Sequence, residues 1–163
     1  MSWWAGKLRR VARYLHPALT AAERGSLVNG LTPTQLALFD AMHPADQRHG
    51  VDVQAALRAA GHDDPELLLA ALFHDAGKGP SVGLVPRVCW SLGERYGGWV
   101  WTLARRLPGL VSSLDRIRHH ADVSARMAVA AGCSFRTGEL IRNQAEPTDG
   151  EPGRALLLAD QQN

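Results

Sequence analysis

This chain of 163 residues lacks most of the features that would settle a class quickly. No apolar run reaches the roughly 18 residues a membrane span needs, so no transmembrane segment is expected. Only two cysteines are present, Cys89 and Cys133, far apart and without CxxC spacing. They read as reduced thiols rather than a disulfide framework. The net charge is only +2, too small to point to nucleic acid, and no stable complex with it is expected. No Gly-rich phosphate loop of the P-loop or dinucleotide type is present. The amino terminus, MSWWAGKLRRVARYLH, has neither the apolar stretch nor the small-residue cleavage site of a signal peptide, and cytoplasm is the expected compartment. Nowhere do polar and apolar residues alternate with period two, so no sheet is expected. Internal repeats, low-complexity tracts and an interdomain linker are missing as well.

What remains is a globular composition, 45% hydrophobic and 21% charged, in a chain long enough to bury a core unaided. The punctuation reads all-α: one compact multi-helix domain over 1–163, made of a helical extension, 1–30, and a main body, 31–163. Trp4, Leu8, Val11, Ala12 and Leu15 fall at helical spacing, with Lys7, Arg9, Arg10 and Arg13 over the remaining surface. Such a helix can lie on a membrane or dock a partner through Trp3 and Trp4. A Leu/Val stripe more often packs on its own domain, and that is the expectation. In the next helix Thr32 is the N-cap, Pro33 occupies the first turn and Gln35 completes a capping box. Asp46 is expected to cap QRHGVDVQAALRAAG, which Gly61 closes. Asp64 and Pro65 open PELLLAALFHDAG, which Gly77 and Gly79 break. Residues 81–108 form two helices or one kinked helix, interrupted at Gly97-Gly98. Ser112 or Ser113 caps LDRIRHHADVSARMAVAAG, which stops at Gly132. Thr137 starts GELIRNQAE, and RALLLADQQN is the last helix.

Several polar residues interrupt the apolar helix stretches. His49 lies in the third helix, His74 and Asp75 end LLLAALFHD, His119 and His120 follow Ile117, and Asp160 follows ALLLA. Taken singly, each has an ordinary structural explanation, such as a core histidine on a backbone carbonyl or a carboxylate near a helix end. Together they need a shared partner, because burying a carboxylate without one is expensive. A divalent metal is the simplest: imidazole suits Mn, Fe, Co, Ni or Zn, and carboxylate suits these and Mg.

The order His49, His74-Asp75, Asp160 resembles the HD superfamily of metal-dependent phosphohydrolases, in particular its small stand-alone members. DQRHGVDVQAAL looks like the family's first-histidine helix, DPELLLAALFHDAGKG like its His-Asp helix with the following Gly-Lys, and ALLLADQQN like its closing helix. The likeness covers about Leu31 to Asn163. It implies an α-helical fold with a metal held by His49, His74, Asp75 and Asp160, and hydrolysis of phosphomonoesters or phosphodiesters. The implied substrate is a small nucleotide or related phosphoester, attacked by a metal-activated water. Asp75 and Lys78 carry the implied catalytic roles. Lys78 either neutralises phosphate charge or is a solvated lysine favoured near a helix C-terminus. A second metal in such proteins would use a histidine from HHADVSARM; His120 fits better than His119. Asn143 and Gln144 stand where a further histidine is usual, which weakens a second metal site.

Trp90, Tyr96, Trp99 and Trp101 can stack on a base or form the packing face of the mid-chain helices; packing is the expectation. Arg87, Arg95, Arg105, Arg106, Arg116 and Arg118 can bind phosphate or simply solvate helix faces. His43 and His62 read as surface residues. The alternative to an enzyme is a non-catalytic metal- and nucleotide-binding module on the same helices.

Overall fold

The computed structural model describes residues 17–104, 106–107 and 109–163. The expected N-terminal helix, with Trp3, Trp4 and His16, lies outside the described residues, as do Arg105 and Pro108. All regular structure among the described residues is helical: α1 (Ala21–Gly30), α2 (Pro33–Asp40), α3 (Pro44–Ala59), α4 (Pro65–Phe73), a 3-10 turn (Ala76–Lys78), α5 (Leu84–Tyr96), α6 (Trp99–Ala104), α7 (Leu110–Ala130), α8 (Phe135–Arg142) and α9 (Glu151–Gln162). No helix among the described residues is long and apolar enough to cross a membrane.

The helix ends follow local chemistry. Thr32 accepts the Gln35 amide and Gln35 returns the bond, so the capping box forms. Asp64 accepts the Glu66 amide ahead of Pro65. Past α3, the Gly61 amide bonds the Arg58 carbonyl and the His62 amide bonds the Leu57 carbonyl, both at 3.0 Å, with Gly61 at φ +87°. This is a Schellman stop, and it needs the left-handed residue that glycine supplies. Gly97-Gly98 does separate two helices, α5 and α6.

Three expected starts are displaced. Asp46 does not cap α3: the helix begins two residues earlier, at Pro44, with His43 Nδ1 accepting the Ala45 amide. Asp46 instead binds Arg87, as described below. Ser112 and Ser113 sit inside α7 and donate to the Gly109 carbonyl, the helix having started at Leu110. Thr137 is buried inside α8 and donates to the Glu66 carbonyl, while Ser134 is the true cap. A further helix, α1, was not expected as a separate element. Its signal is the capping box of Thr20 and Glu23. Its Leu27 joins the main core and its Glu23 pairs with Arg48 of α3, so α1 is fastened to the helices that follow it.

The core centres on α4, whose Leu67, Leu68, Ala70, Ala71, Leu72 and Phe73 are all buried. A helix apolar on every side belongs inside. Around it pack α3, α8 and α9, with α7 laid across the 3-10 turn. Two glycines allow the close crossings. A Cβ on Gly50 would stand 2.6 Å from the Leu72 carbonyl oxygen, and one on Gly77 only 2.4 Å from the His120 carbonyl oxygen. A smaller apolar cluster, Leu110 and Leu114 with Cys89 and Trp90, joins α5 to α7. Cys89 and Cys133 are both free thiols.

Candidate metal centre

Three chain segments deliver the polar residues to one place. His49 comes from the middle of α3, beside Gly50, whose missing side chain lets α3 close on α4. His74 is the C-cap of α4 and keeps helical angles, φ −57°, ψ −26°. Asp75 then leaves the helix at φ −103°, ψ 1°. Neighbours on a regular helix diverge by about 100°, so this break is what allows both side chains to face the same space. Asp160 arrives from the last turns of α9.

His49 Nε2 lies 2.8 Å from Asp160 Oδ1. His74 Nε2 lies 3.7 Å from the same oxygen and 3.6 Å from Asp75 Oδ1. One ligand atom each from His49, His74 and Asp160 can be chosen within 4.8 Å of one another. The His74 ring is fixed from behind, since its Nδ1–H donates to the Ala71 carbonyl at 2.8 Å. That bond turns Nε2 toward the two carboxylates, the orientation metal-binding histidines use. His120 repeats it: Nδ1 donates to the Ile117 carbonyl at 2.6 Å, and Nε2 stands 3.4 Å from Asp75 Oδ1. Lys78 Nζ bonds the other Asp75 oxygen at 2.5 Å.

These contacts set the charge states. Burial opposes ionisation of Asp75, but Lys78, His74 and His120 outweigh it and hold its carboxyl well below the usual carboxylate range. Asp160 behaves likewise. Burial pushes its carboxyl up, while the His49 hydrogen bond and the charges of His74 and His49 bring it well below the ordinary value.

All of these side chains except the buried His74 line a cleft of about 550 Å³. Its lining includes His49, Asp75, Lys78, His120, Gln144 and Asp160, and on the α5 side Arg87, Trp90 and Glu94. Arg87 holds Asp46 with two bonds, 2.6 and 2.7 Å, and its Nε–H donates to the Val82 carbonyl at 3.1 Å. Trp90 stacks on Trp101 at 5.0 Å between ring centres, and Trp101 Nε1–H donates to the Trp90 carbonyl. Packing of the mid-chain helices therefore accounts for this pair, although Trp90 also lines the cleft. Gly93 makes room for the Trp101 indole, which a Cβ there would meet at 1.9 Å.

His120 lines the cleft, whereas His119 is exposed. Asn143 does not line it. As the residue that ends α8, it turns away and donates to Thr148 Oγ1 at 3.1 Å. Gln144 is the residue at the cleft, and it donates to the His74 carbonyl at 3.2 Å. His43 caps α3, and His62 lies 3.5 Å from Glu151. The Asp46–Arg87 wall was not anticipated; the pair is 41 residues apart and no local pattern announces it.

The donor set suits a divalent cation. Asp46, Asp75, Glu94 and Asp160 face only Lys78 and Arg87, leaving the lining two charges negative when the histidines are neutral. Two imidazoles with their rear nitrogens engaged, or tied to a carboxylate, and two ionised carboxyls are the ligand types that first-row metals take. No family model, no curated protein and no solved structure matches this chain.

Proposed function

We propose that this protein is a metal-dependent phosphohydrolase of the HD type, acting on a small nucleotide or related phosphoester. The observation that carries the reading is the convergence of His49, His74 and Asp160, with Asp75 beside them, at a cleft. His49, His74, Asp75 and Asp160 would hold the metal. A bound divalent ion lowers the pKa of a coordinated water and polarises a phosphoryl oxygen. The chain's own groups supply the rest. His74 is oriented by Ala71, so its nitrogen needs no rearrangement to act as a ligand. Lys78 keeps Asp75 ionised and has further N–H donors for a phosphate oxygen beside it. His120 faces Asp75 with Nε2 and can hold or release a proton there. Trp90 offers an aromatic surface for the non-phosphate part of a substrate.

The test is elemental mass spectrometry of the purified protein, with Asp75→Ala as control, followed by assays on aryl phosphomonoesters and phosphodiesters. About one Mn, Fe, Co, Ni, Zn or Mg ion per wild-type chain is expected, lost in Asp75→Ala together with hydrolysis, while the helical circular dichroism stays. Absence of metal after reconstitution, or hydrolysis by Asp75→Ala at the wild-type rate, sinks the assignment.

One observation favours a second reading, a non-catalytic metal- and nucleotide-binding module. Both cations of the cleft are already engaged, Lys78 with Asp75 and Arg87 with Asp46. In that case the metal is present, removing it lowers the melting temperature, and no phosphoester is turned over.

A further inference from the structure

The apolar surface of this protein is unevenly distributed. Of eleven large hydrophobic residues that are exposed among the described ones, seven fall between Val85 and Val111. They form continuous faces. On α5, Val85, Val88, Leu92 and Tyr96 are spaced three and four apart, so they share one stripe, and Val85 is 61% exposed. On α6, Trp99 and Leu103 are four apart and 65% and 57% exposed, and Leu107 follows at 54%. Scattered exposed apolar residues are ordinary, but a gathered set with tryptophan and tyrosine in it marks an interaction surface.

Charge says what the surface meets. Residues 95–118 hold five arginines against one acid, Asp115, and so carry +4. Residues 1–16 hold Lys7, Arg9, Arg10 and Arg13 and no acid, again +4. The chain as a whole is +2, which leaves everything else at −6. The same two stretches contain four of the five tryptophans, Trp3, Trp4, Trp99 and Trp101. Arg95, Arg106, Arg116 and Arg118 are exposed, and the Arg95 guanidinium lies over the Tyr96 ring at 5.5 Å. Exposed aromatic and aliphatic side chains with arginine beside them, as Arg95 is to Tyr96 and Arg106 to Leu107, suit the boundary between lipid headgroups and acyl chains. Indole and phenol rings settle there, and guanidinium groups meet anionic headgroups. A two-fold interface between protein copies would place these like charges against one another, which argues against it.

We propose that the α5–α6 corner, with Tyr96, Trp99, Leu103, Arg106 and Leu107, docks this protein on an anionic lipid bilayer. Trp99, Leu103 and Leu107 enter the interface, and Arg95 and Arg106 lie on the headgroups. Docking does not depend on the hydrolase reading, because the corner carries none of the candidate metal ligands.

The experiment is sedimentation of the full chain with vesicles, either pure phosphatidylcholine or phosphatidylcholine with about 30% phosphatidylglycerol. Binding is expected to the anionic vesicles and to weaken with salt. The pair Trp99→Ser and Leu103→Ser should reduce partitioning by roughly tenfold or more, and Arg106→Glu by about fivefold or more. All three positions are exposed, and an unchanged melting curve confirms that the fold is kept. Trp3→Ala with Trp4→Ala is the companion variant. The proposal is overturned if the wild type ignores anionic vesicles, or if the Trp99/Leu103 variant binds as well as wild type. Loss of binding through Trp3 and Trp4 alone would overturn it too. So would light scattering that shows a stable dimer which the Trp99/Leu103 variant dissociates.

Discussion

At the scale of single residues, the site depends on contacts made behind the candidate ligands as much as on the candidates themselves. His49 and Asp160 meet at 2.8 Å across 111 residues of sequence, and His74 is aimed by the carbonyl of Ala71 three residues earlier. The histidines and aspartates were legible because polar groups stand out in apolar helices. The family resemblance puts Asn143 and Gln144 together where a further histidine is usual, but a helix end is where direction changes fastest. Asn143 turns to Thr148, and its neighbour Gln144 takes the cleft. Asn143→His should therefore leave the metal-to-protein ratio unchanged. His49→Ala should weaken metal binding by more than the roughly 10–100-fold that losing an outer partner costs. Elemental analysis after dialysis against a graded chelator separates the two. A rise in stoichiometry for Asn143→His would mean that the α8 end faces the cleft after all.

At the scale of elements, glycine and the caps decide how helices begin, stop and approach. Caps were readable where one side chain had one local use, as at Thr32 and Asp64. They were misread at Asp46 and Thr137, where the same side chain is spent on a distant partner, Arg87 or the Glu66 carbonyl. Glycines divide in the same way. Gly25 lies inside α1 with nothing within 4 Å of a Cβ, whereas one on Gly77 would collide with the His120 carbonyl, the Ser124 amide and Val123. Gly77 also donates its own amide to Ser124 Oγ at 2.8 Å, fastening the turn that holds Asp75 and Lys78 to α7. Urea unfolding should show opposite signs. Gly25→Ala stabilises by about 0.5–1 kcal/mol, since alanine loses less backbone entropy in a helix. Gly77→Ala destabilises by about 1–3 kcal/mol through overpacking. Equal effects at the two positions would remove the packing account of the turn.

At the scale of the whole molecule, the all-helical architecture was legible because hydrophobic period and turn residues are local properties. The cleft was not, because its walls are joined by pairs such as Asp46 with Arg87, which only the folded chain brings together. The same holds for the way α1 is fastened: Arg48 binds Glu23 with two bonds, 2.8 and 2.9 Å, and also Asp52 at 2.7 Å. The Arg48 bonds, helped by Thr20, hold the Glu23 carboxyl down from 4.5 to about 2. A carboxyl with a lowered folded value binds more protons when unfolded, so its contribution is complete above about pH 4.5 and is lost as the pH falls toward 2. Because the pair is partly exposed, the contribution is about 1 kcal/mol or less. Glu23→Gln should therefore be less stable than wild type at neutral pH, with the difference closing between pH 4.5 and 2 as wild type loses the same contact. Hydrogen exchange should place the loss in α1, whose amides open earlier on acidification than those of α4, because α1 contributes one buried residue, Leu27, to the core and α4 contributes six. A stability difference that stays constant down to pH 2 would show that the Glu23–Arg48 contact is not what anchors α1.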